Sequence, residues 1–230
     1  MKGKGKKMEE EGRYPLFPAW SNVRDMLRDR GYLVPPNPSL QEYVQDYCDE
    51  QGLEVRDRLS LAFSHSSVRG GNTGQIRVLF IGIDKVGKGE LETILKRLGE
   101  TSVRAVLILP ANATVTPTAR KIIANLSEPV QIEVFRESEM TINVVRNSGL
   151  SFAVFAKGGT EQERLVHKYG GKFGSIAVDD MTARYYGLRP GDILQSTRRS
   201  ETAGYYATYK LCRYVEELPK ETPNKKKKVA

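Results

Sequence analysis

The chain has 230 residues, of which 39% are hydrophobic, and it carries a formal net charge of +8. This share of apolar residues excludes a wholly disordered chain and is enough for two modest domains. No apolar stretch approaches the roughly 18 residues of a membrane span, and the N-terminus is charged where a secretory signal would be apolar, so we expect a soluble intracellular protein.

The excess positive charge is concentrated at the two ends of the sequence. Removing the terminal lysines leaves 28 basic residues against 28 acidic ones; these lysines are Lys2, Lys4, Lys6, Lys7 and Lys225 to Lys228. Because the body is close to neutral, we expect any DNA contact by the folded part to depend on a local patch. Residues 1–12 and 216–230 lack apolar periodicity, which predicts disordered tails.

The first half of the sequence alternates between helical and strand patterns. Apolar residues recur at three- and four-residue steps from Trp20 to Leu33, which predicts an amphipathic helix that ends near Gly31. Ser39 is placed to cap a second helix that runs to about Cys48. Strands are then predicted at 59–63, 76–83, 103–109 and 130–135, with helices at 90–98 and 116–126. This order indicates an α/β N-terminal domain, a mixed sheet covered by helices, over residues 13–145.

The composition changes near Val145, and shorter elements follow. A helix is predicted from Thr160 to about Tyr169, between an irregular apolar piece at 150–155 and a glycine-rich stretch at 170–174. A short helical turn is predicted at 182–186, and a hairpin loop at 200–204 joins strands at 192–198 and 205–213. We therefore expect a smaller α+β C-terminal domain over residues 146–215.

The segment from Gly82 to Gly89 has the glycine and lysine spacing of a phosphate-binding loop. It follows an apolar strand and precedes a helix, as such a loop does. Gly89 nevertheless replaces the serine or threonine that would hold magnesium, and the next strand ends at Pro110 without a metal-binding aspartate. We interpret the segment as a strand-to-helix turn and keep a phosphate-loop enzyme as an alternative.

Other groups that carry chemistry in proteins do not converge on one site. His65 lies in a predicted loop and His167 on a polar helix face, each without a marked partner. A helix N-cap explains Asp180, the second residue of an acidic pair. Cys48 and Cys212 lack the paired spacing of zinc ligands, so we expect buried thiols. The sequence therefore offers neither an active site nor a metal site.

Several strings of residues carry a resemblance to a known family. Val23 to Tyr32 and Tyr43 to Cys48 resemble the first two helices of the fifth common subunit of eukaryotic nuclear RNA polymerases. Thr116 to Ala119 resembles that family's Thr-Pro-Ser-Ala loop. The most specific match is the run from Ala183 to Asp192, continued by residues 199–204 and Tyr209. The C-terminal part of this family is similar to a small subunit of archaeal RNA polymerase.

The resemblance implies a non-catalytic subunit of a nuclear DNA-dependent RNA polymerase, with no cofactor, no small-molecule substrate and no membrane contact. It implies an N-terminal jaw domain beside downstream duplex DNA and a C-terminal assembly domain docked on the largest subunit and its neighbours. The DNA-facing residues would be Thr116, Pro117, Thr118, Ala119, Arg120 and Lys121. The assembly interface would comprise Tyr185, Tyr186, Gly187, Leu188, Arg198, Arg199, Ser200, Glu201, Thr202, Gly204 and Tyr206.

Physical chemistry supports both placements and also offers simpler interpretations. Arg120 and Lys121 share a helical turn with a Thr-Pro cap, where free N–H groups and two cations can meet a phosphate without reading base sequence. An ordinary capped helix with solvated charges is the alternative. Tyrosine and arginine are residue types that anchor protein interfaces. The alternative is that part of the tyrosine set fills the core of the small domain.

The sequence also departs from the family pattern. Residues 149–155 read Gly-Leu-Ser-Phe-Ala-Val-Phe where a Leu-Val-Pro-x-His string is usual, and Met181 replaces a usual proline. These departures make a paralogue dedicated to one polymerase an alternative to a subunit shared by all three. The lysines before Val229 resemble a nuclear-import signal, with a solubilising tail as the alternative. A free-standing nucleic-acid-binding factor that uses the lysine tails is a further rival.

Overall fold

A computed structural model describes residues 14–64, 75–98, 104–126, 131–200, 202 and 204–214. The chain divides into two compact units, Met1–Asn143 and Val144–Ala230, which we call the N-terminal unit and the C-terminal unit. The predicted tails, the predicted loop that contains His65, and Glu201 lie outside the described residues.

Two helices open the N-terminal unit, as the sequence predicts. Helix α1 (Leu16–Asp29) buries one apolar face, and Gly31 follows it with a φ of 91°, a conformation that favours glycine. Helix α2 (Leu40–Tyr47) begins after Ser39, whose side chain accepts from the backbone N–H of Glu42 in a capping box. Both predicted helices are confirmed, although α1 starts earlier than its apolar pattern indicates.

The early start of α1 depends on a carboxylate that is distant in sequence. Glu54 accepts hydrogen bonds from the backbone N–H groups of Leu16 and Phe17, at 3.1 Å in each case. It also accepts from the hydroxyl of Tyr43 at 2.9 Å. A free helix N-terminus needs such acceptors, and Glu54 lies 38 residues from Leu16. The local sequence pattern therefore misses the first turn.

A mixed sheet with further short elements completes the N-terminal unit. In chain order these are β1 (Leu61–Ser64), β2 (Gln75–Phe80), β3 (Lys85–Val86), α3 (Lys88–Leu98), β4 (Arg104–Leu109), β5 (Thr114–Val115), α4 (Pro117–Ala124), β6 (Gln131–Arg136) and α5 (Glu137–Met140). The main sheet has the order β1-β2-β4-β6, with β1 antiparallel to β2 and the other pairs parallel. The two-residue strands β3 and β5 pair with each other.

Helices cover both faces of this sheet. On one face, α3 and α4 bury Leu91, Ile94 and Ala119 against Leu107 and its neighbours. On the other face, Arg30 at the end of α1 donates to Glu133 of β6 at 2.9 and 2.6 Å. The predicted α/β class, a mixed sheet between helices, is confirmed.

The C-terminal unit is smaller and has α+β architecture, as predicted. Its elements are α6 (Val144–Asn147), β7 (Ser151–Phe155), α7 (Thr160–Tyr169), β8 (Gly174–Ala177), α8 (Met181–Tyr186), β9 (Ile193–Ser200) and β10 (Gly204–Arg213). The sheet order is β7-β9-β10-β8, in which β8 is parallel to β10 and the other pairs are antiparallel. Ile176, Ala183, Leu188, Leu194 and Cys212 form the core.

One expectation for the C-terminal unit is wrong, and one strand was not predicted. The apolar piece at 150–155 is a regular strand, β7, because it pairs with β9 from Ser151 opposite Thr197 to Phe155 opposite Ile193. The glycine-rich stretch ends in strand β8, whose pairing with β10 begins at Gly174. Pairing with neighbouring strands decides both cases, because the strand preference of a short segment depends on its context.

Candidate functional site

The segment that resembles a phosphate-binding loop has a different structure. Lys85 and Val86 form strand β3, where they pair with Thr114 and Val115. The backbone N–H of Gly87, which such a loop would direct at a phosphate, donates to the Glu90 carboxylate at 3.0 Å. The Glu90 carboxylate therefore accepts the hydrogen bond that a bound phosphate would accept in a phosphate-binding loop. This geometry fits the interpretation of the segment as a strand-to-helix turn.

The predicted DNA-facing segment begins helix α4. Thr116 is its N-cap and accepts from the N–H of Ala119 at 3.3 Å, and Pro117 occupies the first turn. Thr118, Arg120 and Lys121 are exposed, and no ion pair joins either cation to another residue in the described ranges. Ala119 is fully buried against α3 and the sheet. Its side chain therefore belongs to the core and is removed from the DNA-facing set.

The hairpin of β9 and β10 exposes aromatic and cationic side chains at its tip. Tyr205 lies opposite Arg199, and Tyr206 lies opposite Arg198. The Arg198 guanidinium lies 5.3 Å from the Tyr206 ring centre, within the range of a cation–π contact. Tyr205 is 67% exposed and Tyr206 48% exposed. Four large side chains of the types that anchor interfaces are thus exposed at the tip, Arg199 and Tyr205 on one face of the hairpin and Arg198 and Tyr206 on the other.

The turn of this hairpin holds the remaining small residues of the predicted interface. The hydroxyl oxygens of Ser200 and Thr202 lie 3.4 Å apart. Gly204 begins β10 with a φ of 71°, so a glycine suits the turn. Glu201 falls outside the described residues, and its place at the interface stays a prediction.

Helix α8 supplies the other half of the predicted interface, and burial divides its residues. Tyr185 is 2% exposed and Leu188 is 6% exposed, so both side chains are buried, and Leu188 belongs to the core of the C-terminal unit. Tyr186 is partly buried and packs against Phe152, with ring centres 5.7 Å apart. Gly187 ends the helix in the left-handed conformation, φ 63°, and is exposed. We therefore remove Tyr185 and Leu188 from the contact set.

Asp192 fixes the turn between α8 and β9. One carboxylate oxygen accepts from the backbone N–H of Lys157 and the other from that of Arg189, each at 2.8 Å. Gly191 precedes it with a φ of 99°. The Asp192 side chain is largely buried, so the end of the specific run from Ala183 holds the base of the hairpin in place.

A groove beside β10 was not anticipated from the sequence. The ring of Tyr209 lies 5.2 Å from that of Tyr169 and 6.4 Å from that of Phe173. Lys172 and Lys210 stand at the margins of the groove, whose volume is about 360 Å³. The contributing residues come from the end of α7, the loop after it and β10, and no local motif connects them.

The sequences of both units match models of a known protein family. The family model described as RNA polymerase Rpb5, N-terminal domain, matches residues 10–98. The model described as RNA polymerase Rpb5, C-terminal domain, matches residues 160–212. The two matches together span more than half of the chain. The protein belongs to the RNA polymerase Rpb5 family.

Relatives extend the match across nearly the whole chain. The chain is 28% identical over 207 residues to the DNA-directed RNA polymerases I, II, and III subunit RPABC1 of Caenorhabditis elegans. It is 27% identical over 207 residues to the protein of the same name in Caenorhabditis briggsae. Each match covers 86% of this chain and 95% of the relative. The resemblance proposed from the sequence is confirmed, and this is a divergent member of the family.

Family membership also bears on chemistry. The family is a non-catalytic subunit of RNA polymerase, so the expectation that this chain is not itself an enzyme is confirmed. Within the described ranges, no group of three histidine, cysteine or acidic residues is arranged to hold a metal ion. No helix among those residues is long and apolar enough to cross a membrane.

The family models leave residues 99–159 unmatched. This interval contains Thr116 to Lys121 and strand β7, where the sequence departs from the family pattern. The hairpin of β9 and β10 lies inside the C-terminal match up to Cys212. The hairpin tip is therefore covered by a family model up to Cys212, whereas the cap of α4 lies outside both models.

Proposed function

We propose that the protein is a scaffold subunit of a nuclear RNA polymerase, held to the largest subunit and its neighbours by the C-terminal unit. The observation that carries this proposal is the exposed hairpin tip, which presents Arg198, Arg199, Tyr205 and Tyr206 inside the family match. Exposed aromatic and arginine side chains are typical of surfaces that a protein interface buries. The C-terminal unit leaves all four of these side chains exposed.

Docking is tested by changing the tip without disturbing the core. Tyr206→Ala and Arg199→Glu remove exposed groups, and each should lower the amount of the chain retained on purified polymerase about tenfold or more, because hot-spot residues contribute at least 2 kcal/mol. Arg164→Glu is the matched control, since Arg164 is an exposed cation on α7 of the same unit. Full retention of both tip variants would remove the hairpin from the interface.

The N-terminal unit is proposed to contact downstream duplex DNA as part of the polymerase jaw. The support is local: Arg120 and Lys121 are exposed on α4, beside the Thr116 cap and its first-turn N–H groups. Two cations suit a phosphate, and of the first-turn N–H groups that of Thr118 has no acceptor among the described residues, since Thr116 accepts from Ala119 and Arg120. Phosphate contacts position DNA without reading sequence. Because the body of the chain is near neutral, this patch would act only within the assembled enzyme.

Photo-crosslinking of downstream DNA in assembled polymerase tests the jaw assignment. Arg120→Glu combined with Lys121→Glu should reduce crosslinking to this chain severalfold. The matched control reverses two exposed cations of the same unit, Lys88→Glu with Lys96→Glu on α3. Equal crosslinking in both double variants would show that the cap of α4 is not the DNA contact.

Nuclear location belongs to the same proposal. It is supported by the nuclear polymerases named for the relatives and by the lysine run Lys225 to Lys228. Deleting residues 219–230 should reduce nuclear accumulation if the run is an import signal. Unchanged accumulation would favour a solubilising tail. Whether one polymerase or several contain this divergent chain is decided by identifying the subunits that purify with it.

A further inference from the structure

Strand β10 is longer than the strands beside it. It pairs with β9 from Gly204 to Leu211 but with β8 only from Lys210 to Arg213. Among the described residues, no strand pairs with the edge of β10 between Gly204 and Tyr209. A two-stranded hairpin is marginal by itself, and an open edge is a template for strand pairing that proteins normally protect.

The alternation of backbone groups shows which residues face the open edge. The N–H of Cys212 donates to the carbonyl of Asp192 at 2.8 Å, so the backbone of Cys212 faces β9. The carbonyl of Arg213 accepts from Val178 at 3.0 Å, on the opposite side. Because this direction alternates along a strand, the N–H and C=O groups of Tyr205 and Ala207 point toward the open edge. No described residue bonds to them there.

The open edge forms one wall of the aromatic groove. The groove is lined by Tyr206 to Lys210 of β10 and, on the other side, by Tyr169 and residues 172–174. Two ammonium groups, those of Lys172 and Lys210, belong to this lining, and none of the described lining residues is a carboxylate. The groove thus combines unpaired backbone groups, apolar ring surfaces and positive charge.

From these features we infer that the groove binds an extended, acidic segment of a partner polymerase subunit, which adds a strand to the open edge of β10. This inference rests on the proposed docking function and specifies its geometry. Backbone groups of Tyr205 and Ala207 provide main-chain hydrogen bonds, the rings around Tyr209 receive alternate side chains, and Lys172 and Lys210 select carboxylates. A nucleic-acid strand would use the rings and lysines but leave the edge backbone groups unpaired.

Residue-resolved hydrogen exchange on the full chain, free and within purified polymerase, tests strand addition directly. In the free chain the amides of Tyr205 and Ala207 should exchange fast, whereas those of Tyr206 and Thr208, which face β9, should be protected. In the polymerase the two edge amides should slow about a hundredfold or more, because exchange then requires the added strand to open. Equally fast exchange of both edge amides in the bound chain would overturn strand addition while leaving docking intact.

Substitutions separate the backbone contribution from the charge contribution. Ala207→Pro removes an N–H that faces the open edge and makes no bond to β9, so the hairpin can persist. It should lower retention on polymerase at least tenfold, whereas Ala207→Thr, which keeps the N–H, should not. Lys172→Glu with Lys210→Glu should also lower retention about tenfold, and the Lys172→Arg, Lys210→Arg pair should restore it. Retention unaffected by Ala207→Pro would contradict the inference.

The outcomes distinguish this inference from the proposed function itself. If the wild-type chain does not purify with a polymerase, the proposed function fails and strand addition fails with it. If a single-stranded oligonucleotide binds the free chain, and Lys172→Glu with Lys210→Glu abolishes that binding while edge amides stay unprotected in polymerase, the groove is a nucleic-acid site. That result would replace the inferred peptide.

Discussion

Replacing Asp192 tests whether its carboxylate holds the base of the docking hairpin. Two backbone N–H groups, those of Lys157 and Arg189, donate to its separate oxygens at 2.8 Å. Hydrogen bonds to a charged acceptor contribute about 1.5–3 kcal/mol each, and the lower value applies here because Lys157 is exposed. Asp192→Ala should therefore cost the C-terminal unit about 3 kcal/mol, and Asp192→Asn, which keeps one acceptor oxygen, about half of that.

The two cysteines make a separate assay possible for each unit. Cys48 lies in the N-terminal unit and Cys212 in the C-terminal unit, and both thiols are free and buried. A thiol reagent therefore labels each cysteine only after its own unit opens. For a urea dependence of about 1–1.5 kcal/mol per molar, a loss of about 3 kcal/mol lowers the labelling midpoint of Cys212 by about 2–3 M.

The effect of Asp192→Ala on thiol labelling should be confined to the C-terminal unit. Asp192→Ala should shift the midpoint of Cys212 and leave that of Cys48 in place. An unchanged Cys212 midpoint would refute the structural role assigned to Asp192. An equal shift of both cysteines would show that the two units do not unfold separately, and the local argument from two hydrogen bonds would fail.

Three further predictions each test the contribution of one structural feature to stability. Gly191→Ala and Gly204→Ala should each destabilise the C-terminal unit by about 1–2 kcal/mol, because both positions have a positive φ that an L side chain rarely adopts; an unchanged Cys212 labelling midpoint in both variants would contradict this. Burial raises the pKa of the Cys212 thiol from 9.0 to about 11. The folded state therefore binds this proton more tightly than the unfolded state, and the free energy of unfolding should fall as the pH rises from 9 to 11. The fall should be steeper in the wild-type protein than in Cys212→Ala. Tyr43→Phe removes the hydroxyl that donates to Glu54 at 2.9 Å, and it should lower the free energy of unfolding by about 1–2 kcal/mol. Tryptophan fluorescence during urea unfolding measures this change. An unchanged free energy of unfolding would show that the backbone donors alone satisfy Glu54.

Local signals predict much of the fold. Ser39, Thr116 and Asp180 each cap a helix as expected, because a side-chain oxygen that bonds the first turn is encoded within three residues. The limits of the helix Thr160–Tyr169 agree with the sequence pattern. The first turn of α1 is missed because its acceptor, Glu54, is distant in sequence. Strand β8 is missed because a glycine-rich segment becomes a strand only through pairing with β10.

The candidate site is predictable in part for the same reason. The hairpin tip is found because a strand, a turn and a second strand follow one another along the chain. Tyr185 and Leu188 are misplaced because the burial of a side chain in or just after a short helix depends on tertiary packing, which the local pattern does not specify. The groove around Tyr209 is invisible in the sequence, since it exists only because β8 is shorter than β10. The sequence therefore identifies the residues of the hairpin tip, but not the length of the β10 edge that remains unpaired.

The central claim is that this chain belongs to a polymerase and is anchored there by its C-terminal hairpin. Affinity purification of the full chain from nuclear extract in high salt, with identification and quantification of the co-purifying proteins, tests it most directly. We expect the largest subunit of an RNA polymerase in near-equal amount with the wild-type chain, and much less with Tyr206→Ala. A wild-type chain recovered alone, or bound only to nucleic acid that salt removes, would contradict the account.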